Sequence, residues 1–176
     1  SLQNVNFPSL TLCVGNIAIN PISNMRIYLL FPALKVLVGN YNVTNCGGIM
    51  QYDISSLTVI DGNFSINSSG FYHSTNGTLS APSLSIITGN FAPNLNTLSY
   101  LDFPNLIHVG GNYAPNQLFQ LITHTLPPGL TSIYGSFSMS SCSVIRTLST
   151  NNLTVVHSGY APTTMARINI LDSTNR

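Results

Sequence analysis

A leucine recurs along this chain at Leu10, Leu34, Leu57, Leu84, Leu106, Leu130 and Leu153, at intervals of 24, 23, 27, 22, 24 and 23 residues. The segments it heads read FPSLTLCVGNIAI, FPALKVLVGNYNV, ISSLTVIDGNFSI, APSLSIITGNFAP, FPNLIHVGGNYAP, PPGLTSIYGSFSM and TNNLTVVHSGYAP. Self-similarity at a period of roughly 20–50 residues marks an architecture in which each unit buries its apolar face only against its neighbours. The repeat therefore limits the fold before any strand or helix is assigned.

Counting the leucine as zero, position five is Gly15, Gly39, Gly62, Gly89, Gly111 and Gly135, with Ser158 and then Gly159 in the seventh copy. Position seven is Ile17 and then aromatic: Tyr41, Phe64, Phe91, Tyr113, Phe137 and Tyr160. Position three is Cys13, Leu37, Ile60, Ile87, Val109, Ile133 and Val156, and position minus five is Val5, Leu29, Tyr52, Leu79, Leu101, Thr125 and Leu148. These four rows are the candidate core. Short apolar, β-branched runs cut by Gly-Asn and Pro fit strands and turns, and leave no uninterrupted stretch for an amphipathic helix.

About 24 residues at ~3.3 Å each make one coil of a flattened spiral with two or three short strands, and coils stack ~4.8 Å apart. The expected fold is an all-β parallel β-solenoid of about seven coils, one domain over residues 1–176, with 163–176 as a C-terminal strand or linking segment. Glycine suits a corner that needs a positive φ or a close backbone approach. Asn16, Asn40, Asn63, Asn90 and Asn112 follow it and can bond the turn backbone and the Asn of the next coil. Pro8, Pro32, Pro82, Pro104, Pro127 and Pro128 belong in the turn that precedes a strand, because they lack an N–H. Pro93, Pro115 and Pro162 replace the last apolar position of their copies and are expected to shorten that strand.

The stretches LSYLDFPNLIHVGGNYAP (98–115) and LQNVNFPSLTLCVGNIAI (2–19) carry a pattern, L-x-x-L-x-F-P-N-L followed by V/I-x-G-N-aromatic. This pattern resembles the receptor L domain and its relatives among glycan-anchored fungal cell-wall proteins, over residues 2 to 162. The resemblance implies a right-handed β-solenoid of leucine-rich type at a cell surface, non-catalytic through this motif. The disulfide-rich cap of receptor L domains has no counterpart here. Growth-factor-binding residues do not carry over, because the motif specifies core and not surface.

Charge is scarce: five Lys or Arg and four Asp, with no glutamate, make up 5% of the chain. An average domain is about a quarter charged, so Asn, Ser and Thr, about a third of the residues, must supply the hydrophilic surface. Sequons at Asn42, Asn67, Asn76 and Asn152 are candidate glycosylation sites, and Asn63, on the Gly-Asn corner, is the least suited. With no basic cluster there is no footprint for nucleic acid, and with no run of 18 apolar residues no membrane-spanning segment. Cys13, Cys46 and Cys142 are too few for a disulfide framework or a zinc site and read first as small core residues, with one bridge or a cross-link to another chain left open.

The aspartates are spread out, Asp53 and Asp61 on either side of Leu57 and Asp102 and Asp172 in other copies, and His73, His108, His124 and His157 stand at unrelated positions, which reads as exposed or loop histidines. No nucleophile elbow, phosphate loop or zinc spacing occurs. No catalytic, cofactor-binding or metal residue is assigned, and the expectation is that the protein is not an enzyme. A threonine-bearing ice-binding face fails on Lys35 and Ile107, which break the row. The ends, lacking polar caps, favour self-association end to end or with neighbouring repeats, so the chain reads as an extracellular subunit or fragment of a glycosylated surface fibre or cell-wall assembly. The competing reading is a monomeric adhesion or receptor ectodomain that binds a glycan or protein. Its candidate loop is 66–78 with Phe71, Tyr72 and His73, and its candidate aromatics are Tyr28, Tyr100, Phe119 and Tyr134.

Overall fold

In the repeat, each short apolar run between turns becomes a strand, and strands of successive coils pair in parallel at the offset of the repeat. The computed structural model describes residues 2–21, 25–68, 77–95, 97–150, 152–160 and 169–170. Every strand pair among them is parallel and none of these residues is helical, so the chain is an all-β parallel solenoid.

Each coil has three sides. The second side is continuous: Leu12–Val14, Val36–Val38, Val59–Asp61, Ile86–Ile87, His108–Val109, Ser132–Ile133 and Val155–Val156 form one seven-stranded sheet. Cys13, Leu37 and Ile60 stand in register on it, as do Ile87 and Val109. The third side stacks Ile17–Ile19, Tyr41–Cys46, Phe64–Ser68 and Phe91–Leu95, passes through isolated bridges at Tyr113 and Asn116, and resumes at Ser136–Phe137 and Gly159–Tyr160. The first side is three sheets: Leu2–Asn6 with Arg26–Leu30 and Gly48–Asp53, then Thr78–Ser80 with Tyr100–Asp102, then Thr123–Thr125 with Thr147–Ser149 and Asn169–Ile170.

The corners follow from local chemistry. Between the first and second sides the leucine N–H donates to the carbonyl three residues back in every coil, from Leu10 to Phe7 (3.3 Å) through Leu153 to Thr150 (2.8 Å). Pro8, Pro32, Pro82, Pro104 and Pro128 occupy the second place of these turns, where φ is fixed near −65° and no N–H is needed. In the third coil that place is Ser55, whose N–H and Oγ instead donate to Asp53 Oδ1 (3.0 and 2.8 Å).

Between the second and third sides, Gly39 has φ 143° and a Cβ there would lie 2.5 Å from the Gly15 carbonyl oxygen. Both demands made of this glycine are thus real at one position. Beyond it, the backbone N–H and Nδ2 of Asn40 donate to Asn16 Oδ1 (2.8 and 2.9 Å), and Asn63 repeats this on Asn40 and Asn90 on Asn63. The ladder ends as Asn112 Oδ1 accepts from Ser136 N–H (2.7 Å).

The inward rows close over an apolar interior. Leu34, Leu57, Leu84, Leu106 and Leu130 are wholly buried, as are Leu37, Ile60, Ile87, Val109 and Ile133. Tyr41, Phe64, Phe91, Tyr113 and Phe137 form a continuous ring stack with centroids 4.8 to 5.5 Å apart.

Three expectations change. In the sixth coil His124, and not Thr125, faces inward, in register with Leu148, while Thr125 is exposed. The Pro127-Pro128 pair adds one residue before the leucine, and a one-residue slip exchanges the two faces of a strand. The expectation that the histidines are exposed or in loops therefore fails for His124. Pro93 does not shorten its strand: Phe91–Leu95 spans five residues, paired from Phe91↔Phe64 to Leu95↔Ser68. Its missing N–H lies on the side of the following coil, where pairing falls to isolated bridges at Tyr113 and Asn116. Pro162 lies outside the described residues.

Candidate functional site

The fold consumes most of the groups that could do chemistry. Asp53 caps its turn; Asp61 Oδ1 accepts from Thr88 Oγ1 (2.9 Å), and Asp102 Oδ2 from Ser80 Oγ (2.7 Å). Asp53 and Asp102 both stand at position minus four on the first side, three coils and five coils along, while Asp61 lies on the second side. Among the described residues no three His, Cys or Asp side chains gather in a way that could hold a metal ion. Asp172 and His73 lie outside the described residues.

The histidines divide between two environments. His108 and His157 flank Tyr134 on the outside of the second side, with ring centroids at 5.1 and 4.9 Å. His124 is buried, its Nε2 2.8 Å from Tyr113 Oη, and burial lowers its pKa from 6.5 to about 4. The same desolvation drives the Tyr113 phenol far upward, so the pair is neutral at ordinary pH. Cys46 and Cys142 are buried and free, and burial pushes the Cys46 thiol up to about 11. Cys13 is also free and half-exposed.

Of the sequons, Asn42, Asn67 and Asn152 present exposed side chains, whereas the Asn63 amide is tied into the corner ladder on both sides. Asn76 and the loop residues Phe71, Tyr72 and His73 lie outside the described residues. The remaining aromatic candidates do not share a surface: Tyr100 points outward on the first side, Tyr134 on the second, and Phe119 lies in the connection between the third and first sides. Tyr28 is half-buried. A groove of about 430 Å³ runs beside the Asn ladder over a floor of small residues, Ala18, Ser65 and Ala92 with Asn42.

Among the described residues, the first coil leaves its inward row partly open. Val5, Leu10, Cys13 and Ile19 are only partly covered, whereas their counterparts one coil on, Leu29, Leu34, Leu37 and Val43, are completely buried. They line a depression of about 550 Å³ together with Phe7, which stacks on Phe31 at 5.6 Å. Beside it the outer surface of the second side is itself apolar, with Leu12 53% and Val14 77% exposed. The alternating triplets LCV and VLV carried this signal, because residues on both faces of those strands are apolar. No protein-family model, curated protein or solved structure matches the chain.

Proposed function

We propose that this protein is a non-catalytic structural module of an extracellular surface, a subunit or segment of a fibre or cell-wall assembly built by joining solenoid ends. The observation that carries the reading is the open apolar face of the first coil. There an apolar interior that is fully closed in the second coil lies half open, edged by strands with one unpaired side. Solenoids ordinarily need a polar cap to stay soluble and separate, and an open edge is a template for pairing. The interior, filled by leucine, aliphatic and aromatic rows, supports a scaffold, and the described carboxylates serve local turns and hydroxyls. The likeness of the Leu–Gly–Asn–aromatic coil to receptor L domains and fungal cell-wall relatives favours the same surface setting, with right-handed coiling and glycans on exposed sequons such as Asn42.

Electron microscopy of the purified protein tests this. Assemblies longer than one seven-coil rod of ~30 Å are expected, and discrete single rods at high concentration would overturn it. A second reading, an adhesion or receptor ectodomain, draws on the exposed rings of Tyr100 and Tyr134.

A further inference from the structure

We propose that the solenoid carries an acid-sensitive seam between its fifth and sixth coils, which protonation of His124 opens so that the two coils part along the first side. The seam is a gap in an otherwise repeated bonding scheme. Tyr100–Asp102 pairs with Thr78–Ser80 and Thr123–Thr125 with Thr147–Ser149, but among the described residues no ladder joins Tyr100–Asp102 to Thr123–Thr125. Where this side turns into the next, Phe7, Phe31 and Ala81, each three residues before its leucine, donate their N–H to Leu30, Asp53 and Asp102 of the following coil. Phe103 holds the same place and makes no such bond among the described residues. In the sixth coil the donor is Leu126, one place earlier, because Pro127-Pro128 adds a residue to the turn. The other two sides are also thin here: the second contributes the single pair Val109↔Ile133, the third the isolated bridges Tyr113↔Phe137 and Asn116↔Ser140. The first side divides again between Gly48–Asp53 and Thr78–Ser80, but there the third side runs unbroken from Phe64↔Phe91 to Ser68↔Leu95.

Water reaches the seam. A crevice of about 140 Å³ enters between Asp102 on one lip and Thr125 on the other and ends at Tyr113 and His124. Leu101, Phe103, His124 and Leu126 beside it are 3 to 5% exposed, whereas Leu79 and Leu148, inward on the same side, are wholly buried. A proton can therefore reach the imidazole without unfolding of the chain. Of the titratable groups that line the crevice, Tyr113 lies against the ring, while Tyr100 and Asp102 stand at the rim, Asp102 Oδ2 accepting from Ser80 Oγ (2.7 Å). From the seventh coil the residue in register with His124 is Leu148, which carries no charge. An imidazolium here meets a hydroxyl and no counter-charge, and a buried unpaired charge is strongly unfavourable. Parting the lips brings water and the Asp102 carboxylate to the ring. Burial holds the His124 pKa at about 4 instead of 6.5, so the opened form binds the proton more tightly, and a fall from pH 7.5 to 4.5 favours opening roughly 70-fold.

Hydrogen exchange of the full chain at pH 7.5 and 4.5, corrected for intrinsic rates, tests the seam. The reporters are the N–H groups of Tyr113, Gln117, Gly135 and Ser138, which bond across it to Ser136, Ser140, Gly111 and Tyr113. The controls are the N–H groups of Tyr41 and Phe64, bonded to Asn63 and Asn90 in earlier coils. At pH 4.5 the reporters should lose protection by tens of fold while the controls keep theirs. In the double variant Tyr113→Phe/His124→Leu, shown to be folded by circular dichroism, the reporters should stay protected at both pH values. Equal losses at reporters and controls, or no loss at the reporters, overturn the proposal from the native chain alone. A selective loss that persists in the double variant overturns it as well, because the opening then does not depend on His124.

Discussion

At the scale of single residues, the buried pair of Tyr113 and His124 is the point where the repeat departs from a uniform apolar interior. His124 occupies the inward place that Leu79, Leu101 and Leu148 fill elsewhere, and its Nε2 meets the Tyr113 hydroxyl at 2.8 Å. Its folded-state pKa of about 4 lies below the ordinary 6.5, so the unfolded chain takes up a proton that the native state refuses. Stability from this site is complete above pH 6.5 and is lost as pH falls from there toward 4, by about 3 kcal/mol in all. Denaturant melts at pH 7.5 and 4.5 should show that loss. The double variant Tyr113→Phe/His124→Leu, which removes both polar partners without orphaning either, should flatten it. An unchanged pH dependence in the double variant would place the acid sensitivity elsewhere.

Among the elements, the corner ladder explains the Gly-Asn pair better than the strands do. The Oδ1 atoms of Asn16, Asn40 and Asn63 each take two hydrogen bonds from the next coil, one from backbone and one from amide, and those of Asn90 and Asn112 one from backbone, so the row locks coil to coil along the edge of the second side. Asn63→Ala removes the acceptor for Asn90 and the donor to Asn40; a loss of about 2 kcal/mol is expected, from two partners left with orphaned groups. Asn152→Ala, whose Nδ2 makes one exposed bond to the Pro128 carbonyl, should cost well under half of that by the same melt. The ladder, the leucine, aliphatic and aromatic rows and the proline turns were legible because each rests on a residue type fixed by local geometry. What the repeat concealed was register. Setting Thr125 in the core followed from counting back from Leu130, and the extra residue of Pro127-Pro128 reverses the strand's faces without leaving any mark on the apolar pattern. The candidate loop around Phe71 falls outside the described residues, and the absence of a polar cap was legible in the sequence, whereas which inward residues stay open is visible only once coils are stacked, since Leu10 and Leu34 look alike in sequence.

Across the whole molecule, stacking makes stability nearly one-dimensional: each coil is held by the one before and the one after, and an end coil has half the support. The burial pattern shows this directly. Leu10 is only half covered, whereas Leu57, the same position two coils further, is fully buried with coils on both sides. Truncating Leu57 to Ala leaves a cavity that rigid ladders on either side cannot collapse into, and the expected loss is about 3–4 kcal/mol. Leu10→Ala removes a side chain already open to solvent on one face, and about 1 kcal/mol is expected for a protein whose first coil stands alone. Covering the face of the first coil with a second chain, as the proposed joining of coils requires, would give Leu10 the second neighbour it lacks. The ratio of the two losses should then depend on protein concentration: with Leu10→Ala mild in dilute solution and approaching Leu57→Ala as association sets in. Chemical denaturation of both variants at two widely separated concentrations measures it, and a concentration-independent ratio in an associating protein would mean that the joint lies on another surface.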